Sequence, residues 1–197
     1  LSTNINISQN IPCYGGGSGA IDLSVSGGTA PYNYNWSNGA GTQDISNLAA
    51  GIYTVTITDV NGCNTTSSAT ITQPNAPLAS SVSSNQPVLC FGGTNGSLNL
   101  NVSGGTFPYS YNWSNGQTTQ DLLNLSSGTY TVTITDANGC TTVQSATITQ
   151  PSAALAPTAT VLQQVLCFGG NNASVDLSVT GGTTPYSYNW SNGQTTQ

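Results

Sequence analysis

The chain is 197 residues long and has no Lys, Arg, His, Glu or Met, so six Asp give it a formal charge of −6. No cation is present to displace counterions from nucleic acid or to meet an anionic membrane surface, which excludes both partners as charge-driven ligands. Side-chain salt bridges are excluded as well, leaving apolar burial, backbone hydrogen bonds and disulfides to hold the fold.

Leu1 opens a unit that recurs every 77 residues without insertion. Trp36, Trp113 and Trp190 keep that step (113 − 36 and 190 − 113), as do Cys13, Cys90 and Cys167, Cys63 and Cys140, Asp44 and Asp121, and Asp59 and Asp136. Leu1, Leu78 and Leu155 mark repeats over 1–77, 78–154 and 155–197, the third being the first half of a repeat. The expectation is a window onto a longer array, in which regular repetition serves architecture or multivalency rather than a single catalytic centre.

Within the first repeat the alternation has period two throughout, the mark of half-buried strands, and no segment shows a helical period. Ile21, Leu23 and Val25 alternate with polar residues, then Tyr32, Tyr34 and Trp36, then Tyr53, Val55 and Ile57, and Ala69 and Ile71 close the unit. Gly27-Gly28, Asn38-Gly39, Gly51 and Asn61-Gly62 punctuate these runs, and Asn61-Gly62 predicts the tight hairpin between the last two strands. Pro74 and Pro77 interrupt the chain at the hand-over to the next repeat. About seven short strands with a Trp on the third predict an all-β fold, a tandem array of small immunoglobulin-like or fibronectin-like sandwiches. A short extra strand after Asn38-Gly39 is allowed for.

The second repeat carries the same pattern over Leu98, Leu100, Val102, Tyr109, Tyr111, Trp113, Tyr130, Val132 and Ile134. The third supplies Val175, Leu177, Val179, Tyr186, Tyr188 and Trp190, and then stops. Half a sandwich cannot bury its own face, so the missing strands are expected to follow or to come from another chain. No apolar run reaches the roughly 18 to 20 residues of a membrane span, and no secretion signal is visible.

The ordered motifs Cys90-Phe91-Gly92-Gly93, Gly104-Gly105-Thr106-Phe107-Pro108-Tyr109, Trp113-Ser114-Asn115-Gly116, Gly128-Thr129-Tyr130-Thr131-Val132 and Thr135-Asp136-Ala137-Asn138-Gly139-Cys140 resemble the SprB repeat. The resemblance covers essentially all of repeats one and two and the present part of three. It implies a very large secreted adhesin displayed on the surface of a Gram-negative, Bacteroidetes-like bacterium, acting in adhesion or gliding motility. The implied partners are neighbouring repeats, other copies in a filament, and surface glycans or substratum. Two other readings are a glycan-binding repeat module and a passive spacer within a secreted multidomain enzyme.

Candidate sites are few. With no His base and no Lys nucleophile, the residues form no catalytic constellation. Asp59 and Asn61, and Asp136 and Asn138, offer oxygen ligands for calcium, with Asp44 and Asp121 as the other repeated carboxylates. The competing reading is a hairpin turn whose Asp and Asn bond local backbone. A zinc site is disfavoured by the lack of His and of any CxxC pair. The Tyr-x-Tyr-x-Trp runs are either core, with Trp36, Trp113 and Trp190 inside, or a stacking platform for sugars. Tyr14, Phe91 and Phe168, each following a Cys in a Gly-rich turn, are candidates for packing between repeats. The Asn-x-Ser/Thr strings are of a kind that arises by chance in so Asn-, Ser- and Thr-rich a chain.

Five regularly spaced cysteines in small repeats predict disulfides and an oxidising compartment. Pairing within repeats joins Cys13 to Cys63 and Cys90 to Cys140, leaving Cys167. Yet Cys90 precedes strand B at one end of the sandwich, and Cys140 follows the last hairpin at the other. Six residues of strand span roughly 20 Å, whereas a disulfide needs Cα atoms within about 7 Å. In a head-to-tail array Cys13 would instead meet Cys140 of the next repeat, stapling the two. Free or cross-chain thiols are the third arrangement.

Overall fold

The computed structural model describes residues 1–197. It contains fourteen β-strands and no helix, and so no helix long and apolar enough to cross a membrane.

The first repeat contributes β1 (Ser2–Gln9), β2 (Gly19–Ser26), β3 (Asn33–Trp36), β4 (Ile45–Leu48), β5 (Gly51–Thr58) and β6 (Asn64–Ile71). They form two three-stranded sheets, ordered β1-β2-β4 and β3-β5-β6. All pairings are antiparallel, with Ile5 opposite Leu23 and Trp36 opposite Val55. This is the immunoglobulin-like division of strands A, B and E against C, F and G. The Tyr53 hydroxyl near the start of β5 donates to Ala49 O at 3.0 Å, the backward bond that pins the E–F corner in such sandwiches.

The core follows from the alternation. Ile11, Ile21, Leu23, Trp36, Ile45, Leu48, Val55, Ile57 and Ile71 form one buried cluster, with Tyr32, Tyr34 and Tyr53 packed half-buried against it. Trp36 is 2% exposed, so the Tyr-x-Tyr-x-Trp face is turned inward and grades from rim to centre.

The second repeat contributes β7 (Ala79–Gln86), β8 (Gly96–Ser103), β9 (Ser110–Trp113), β10 (Leu122–Leu125), β11 (Gly128–Thr135) and β12 (Thr141–Ile148). Their sheets, β10-β8-β7 and β12-β11-β9, repeat the order of the first. The nine buried positions recur one period on, from Val88 to Ile148.

Between Asn38-Gly39 and β4, residues 40–44 carry no strand, so the extra strand allowed for is not added to the six. This stretch is engaged in side-chain bonds instead. Asp44 Oδ1 accepts the Leu23 N–H at 2.9 Å, Gln43 Nε2 donates to Leu23 O, and Trp36 Nε1 donates to Thr42 O at 2.9 Å. The equivalents are Asp121 on Leu100 N–H, Gln120 on Leu100 O, and Trp113 on Thr119 O. The Thr-Gln-Asp motif therefore clamps both backbone groups of a strand B residue, Leu23, just beyond Ile21, the last β2 residue paired with β4.

The third repeat pairs only β13 (Ala156–Gln163) with β14 (Ser174–Thr180). Residues 186–190 form no strand, because strand F, on which strand C is paired in the first repeat, has no counterpart before Gln197. Leu177, Val179, Tyr186, Tyr188 and Trp190 stay half-buried, lining an open groove of about 320 Å³ with Leu155 and Pro157.

Chain contacts fall into two compact units. One comprises Leu1–Ser81, Asn101–Asn112 and Thr133–Val143, and the other Val82–Leu100, Trp113–Val132 and Gln144–Gln197. The first unit thus holds the whole first sandwich together with the hairpin that carries Cys140.

Candidate functional site

Asn61-Gly62 and Asn138-Gly139 turn the last hairpin of each repeat, with Gly62 and Gly139 in the left-handed region at φ 82° and 83°. The buried Asp that starts each turn organises it. Asp59 Oδ1 accepts the N–H groups of Asn61 and Cys63, both at 2.9 Å, while Oδ2 accepts the Thr29 N–H at 3.1 Å. Asp136 does the same with Asn138, Cys140 and Thr106. Each carboxylate thereby ties the hairpin to the loop that follows strand B.

Burial pushes the Asp59 carboxyl up, but the hydrogen bonds from Thr29, Cys63 and Asn61 outweigh it and hold it below the usual carboxylate value. The oxygens weighed above as calcium ligands are thus engaged by backbone donors. Asp44 and Asp121 are likewise spent on strand B, and no group of three or more His, Cys, Asp or Glu is placed to hold a metal ion. The arrangement is that of an Asp-organised turn.

The hairpin of 136–140 delivers Cys140 to the turn that carries Cys13. The two sulfurs are bonded, with Cα atoms 5.7 Å apart and 127 residues of sequence between the partners. Asn138 Nδ2 donates to Pro12 O at 3.0 Å and to Thr106 Oγ1 at 3.0 Å, so a polar contact flanks the covalent one. Of the pairings left open by the sequence, the structure has the one between successive repeats. The within-repeat pairs are absent: Cys63, Cys90 and Cys167 are exposed free thiols.

The aromatic residue after each first cysteine behaves less uniformly than expected. Tyr14 and Phe91 are each about half exposed, and Phe168 is fully exposed. Phe91 lines a cavity of about 330 Å³ with Leu89, Cys90, Leu155, Pro185 and Tyr186, which places it between second-repeat and third-repeat residues.

Sequence reasoning missed the closure between the hand-over segment and the Gly-Gly turn. Gly105 N–H donates to Ala76 O at 3.0 Å, and Gly182 N–H to Ala153 O at 2.9 Å. A Cβ on Gly104 would lie 1.9 Å from Pro77 O. The signal was available in the Gly-Gly pair, which keeps the 77-residue step and sits at a fixed distance after each Pro- or Ala-rich hand-over (105 − 76 and 182 − 153 are both 29).

Among solved structures the chain is similar to the three N-terminal domains of the highly immunogenic outer capsid protein Hoc of bacteriophage RB49. The TM-score is 0.41 at 19% identity, covering 95% of this chain and 73% of that one. It is also similar to the N-terminal eight Ig domains of Down Syndrome Cell Adhesion Molecule isoform 1.30.30, with TM-score 0.41, 14% identity, 75% of this chain and 24% of that one. A third likeness is to the IG1 and IG2 domains of DIP-gamma, with TM-score 0.37, 13% identity, 75% of this chain and 97% of that one. The fold assignment rests on strand order and register, not on these likenesses. No curated protein matches the chain. The SprB repeat model matches three times, over residues 5–41, 82–118 and 159–195. Those matches keep the 77-residue step and span more than half of the sequence, and the chain belongs to the SprB repeat family.

Proposed function

We propose that this chain is a repeat segment of a long cell-surface adhesin or extracellular filament of a Gram-negative, Bacteroidetes-like bacterium. Its sandwiches form a stiff stalk that serves adhesion or gliding motility. The observation that carries this reading is the Cys13–Cys140 disulfide, which joins one repeat to the next rather than closing either on itself. A bond so placed resists bending and pulling at a junction, a useful property in a stalk and an idle one in a catalytic domain. Disulfides of this kind persist in oxidising, extracellular surroundings. Many copies of one weakly binding repeat add avidity through effective concentration.

A glycan-stacking role for the tryptophans receives no support from their burial, since Trp36 and Trp113 are each 2% exposed. The test is live-cell imaging with a fluorescent antibody against one repeat. Label that travels along the cell surface supports a mobile adhesin, and label on static surface filaments supports an attachment fibre without gliding. Label found only in the medium would overturn the cell-surface reading.

A further inference from the structure

We infer that Asn38 is a site of spontaneous deamidation, and that Asn138, in a turn of the same form, is shielded from it by the contact between successive repeats. Both side chains precede a glycine, whose lack of a Cβ leaves the following backbone nitrogen open to the side-chain amide. Gly39 and Gly139 stand in the left-handed region at φ 84° and 83°. Gly39 N–H donates to Trp36 O at 2.9 Å, and Gly139 N–H to Asp136 O at 3.0 Å. A Cβ at either glycine would meet nothing within 4 Å. The attacking nitrogen is therefore presented alike in the two turns, which differ in what holds the asparagine.

Asn38 is exposed, and its side-chain bond is local: Oδ1 accepts the Ala40 N–H at 3.1 Å. Asn138 Nδ2 instead donates to Thr106 Oγ1 and to Pro12 O, each at 3.0 Å. Pro12 O can only accept, which fixes the amide nitrogen, not the oxygen, on that side. Pro12 belongs to the first repeat, and the Cys13–Cys140 disulfide beside it keeps the two turns together. Asp136 Oδ1 braces the same turn by accepting the Asn138 N–H at 2.9 Å. Turning the Asn138 amide onto Gly139 N means releasing both side-chain bonds. At ordinary hydrogen-bond strength, that makes the reactive rotation about tenfold rarer or more.

The step needs no co-reactant but water. Gly39 N gives up its proton and bonds to Asn38 Cγ, and the amide nitrogen leaves with that proton as ammonia. Water then opens the cyclic imide at either carbonyl, leaving an aspartyl residue or, with the chain rerouted through the side chain, an isoaspartyl one. Each event adds a negative charge to a chain with six Asp and no side-chain cation. At position 38 the new carboxylate faces solvent. At position 138 it would set a charged acceptor against Pro12 O in place of a donor, weakening the junction. The contact between repeats thus guards an asparagine whose loss would loosen it. This goes beyond the surface-stalk reading and is separable from it, since these rates do not depend on where the chain is displayed.

The test ages the full chain, with its disulfide intact, in mildly alkaline buffer. Samples are then reduced, digested with chymotrypsin and read by mass spectrometry, with isoaspartyl methyltransferase labelling to identify the rerouted product. Asn38 is expected to deamidate at least about tenfold faster than Asn138. Thr106→Val removes the hydroxyl acceptor while nearly keeping its shape, and should speed Asn138 about twofold to tenfold. The Asn38 rate, unchanged in that variant, reports that the fold has survived. Equal rates at Asn38 and Asn138 in the unaltered chain would overturn the inference. So would an Asn38 that stays intact, or an Asn138 rate indifferent to Thr106→Val.

Discussion

Pro77 O occupies the space that a Cβ on Gly104 would need, at 1.9 Å. Gly104 is also in the left-handed region at φ 67°, where an L side chain costs about 1–2 kcal/mol. Because the clashing atom is backbone, relief requires the hand-over segment to move, adding about 1–3 kcal/mol of overpacking. Gly104→Ala should therefore lower the urea midpoint clearly more than Gly116→Ala, whose φ is 82° but whose surroundings are open within 4 Å. Equal shifts for the two would show that the close approach carries no energy.

Asp121 Oδ1 accepts the N–H of Leu100, a residue 1% exposed. Removing the acceptor strands a buried donor, so Asp121→Ala should destabilise the chain by about 1–3 kcal/mol. Asp121→Asn keeps an oxygen in place and is expected to cost under about 1 kcal/mol. Chemical denaturation of both variants checks the clamp, and a harmless Asp121→Ala would dismiss it.

Asp59 gives stability a defined pH dependence. Its carboxyl is lowered in the folded chain, so the unfolded state binds a proton at higher pH than the folded state does. The contribution is complete above the ordinary Asp value of about 3.9 and is lost as pH falls through that value towards the lower folded one. Asp59→Asn should flatten this acid limb of a thermal-melt series while leaving the neutral-pH slope alone. An unchanged acid limb would mean that other carboxylates govern it.

The staple spans 127 residues, and a closed loop of that size is worth about 4–5 kcal/mol in the chain-entropy account. Reductant, or Cys13→Ser with Cys140→Ser, should lower the melting temperature, and Cys90→Ser should not. Chymotryptic mapping without reductant is expected to recover Cys13 joined to Cys140. Cys90 joined to Cys140 would refute the staple outright.

The all-β architecture was legible because period-two runs such as Tyr53, Val55 and Ile57 leave no other way to sort apolar from polar side chains. The buried tryptophans followed from the same alternation. For the cysteines, the sequence located them at opposite ends of a sandwich and narrowed the pairing without deciding it; the decision needed the hairpin of 136–140 set against Pro12. The Thr-Gln-Asp clamp stayed hidden because Asp44 and Leu23 are 21 residues apart and meet only once the sheet has formed. For the same reason the segment after Asn38-Gly39 read as a possible strand: nothing local signals that strand B will claim its polar atoms. Tyr53 read as a core residue, and its hydroxyl bond to Ala49 O is a tertiary detail that alternation does not encode.

The placement of the one disulfide has a consequence for survival under proteolysis. Every peptide bond between Cys13 and Cys140 is bypassed by a second covalent path through the sulfurs. An endopeptidase that nicks an exposed turn such as Asn61-Gly62, or the hand-over around Pro77, divides the polypeptide without parting the two fragments. Covalent continuity across that stretch fails only when the backbone is cut and the sulfur bond is reduced as well.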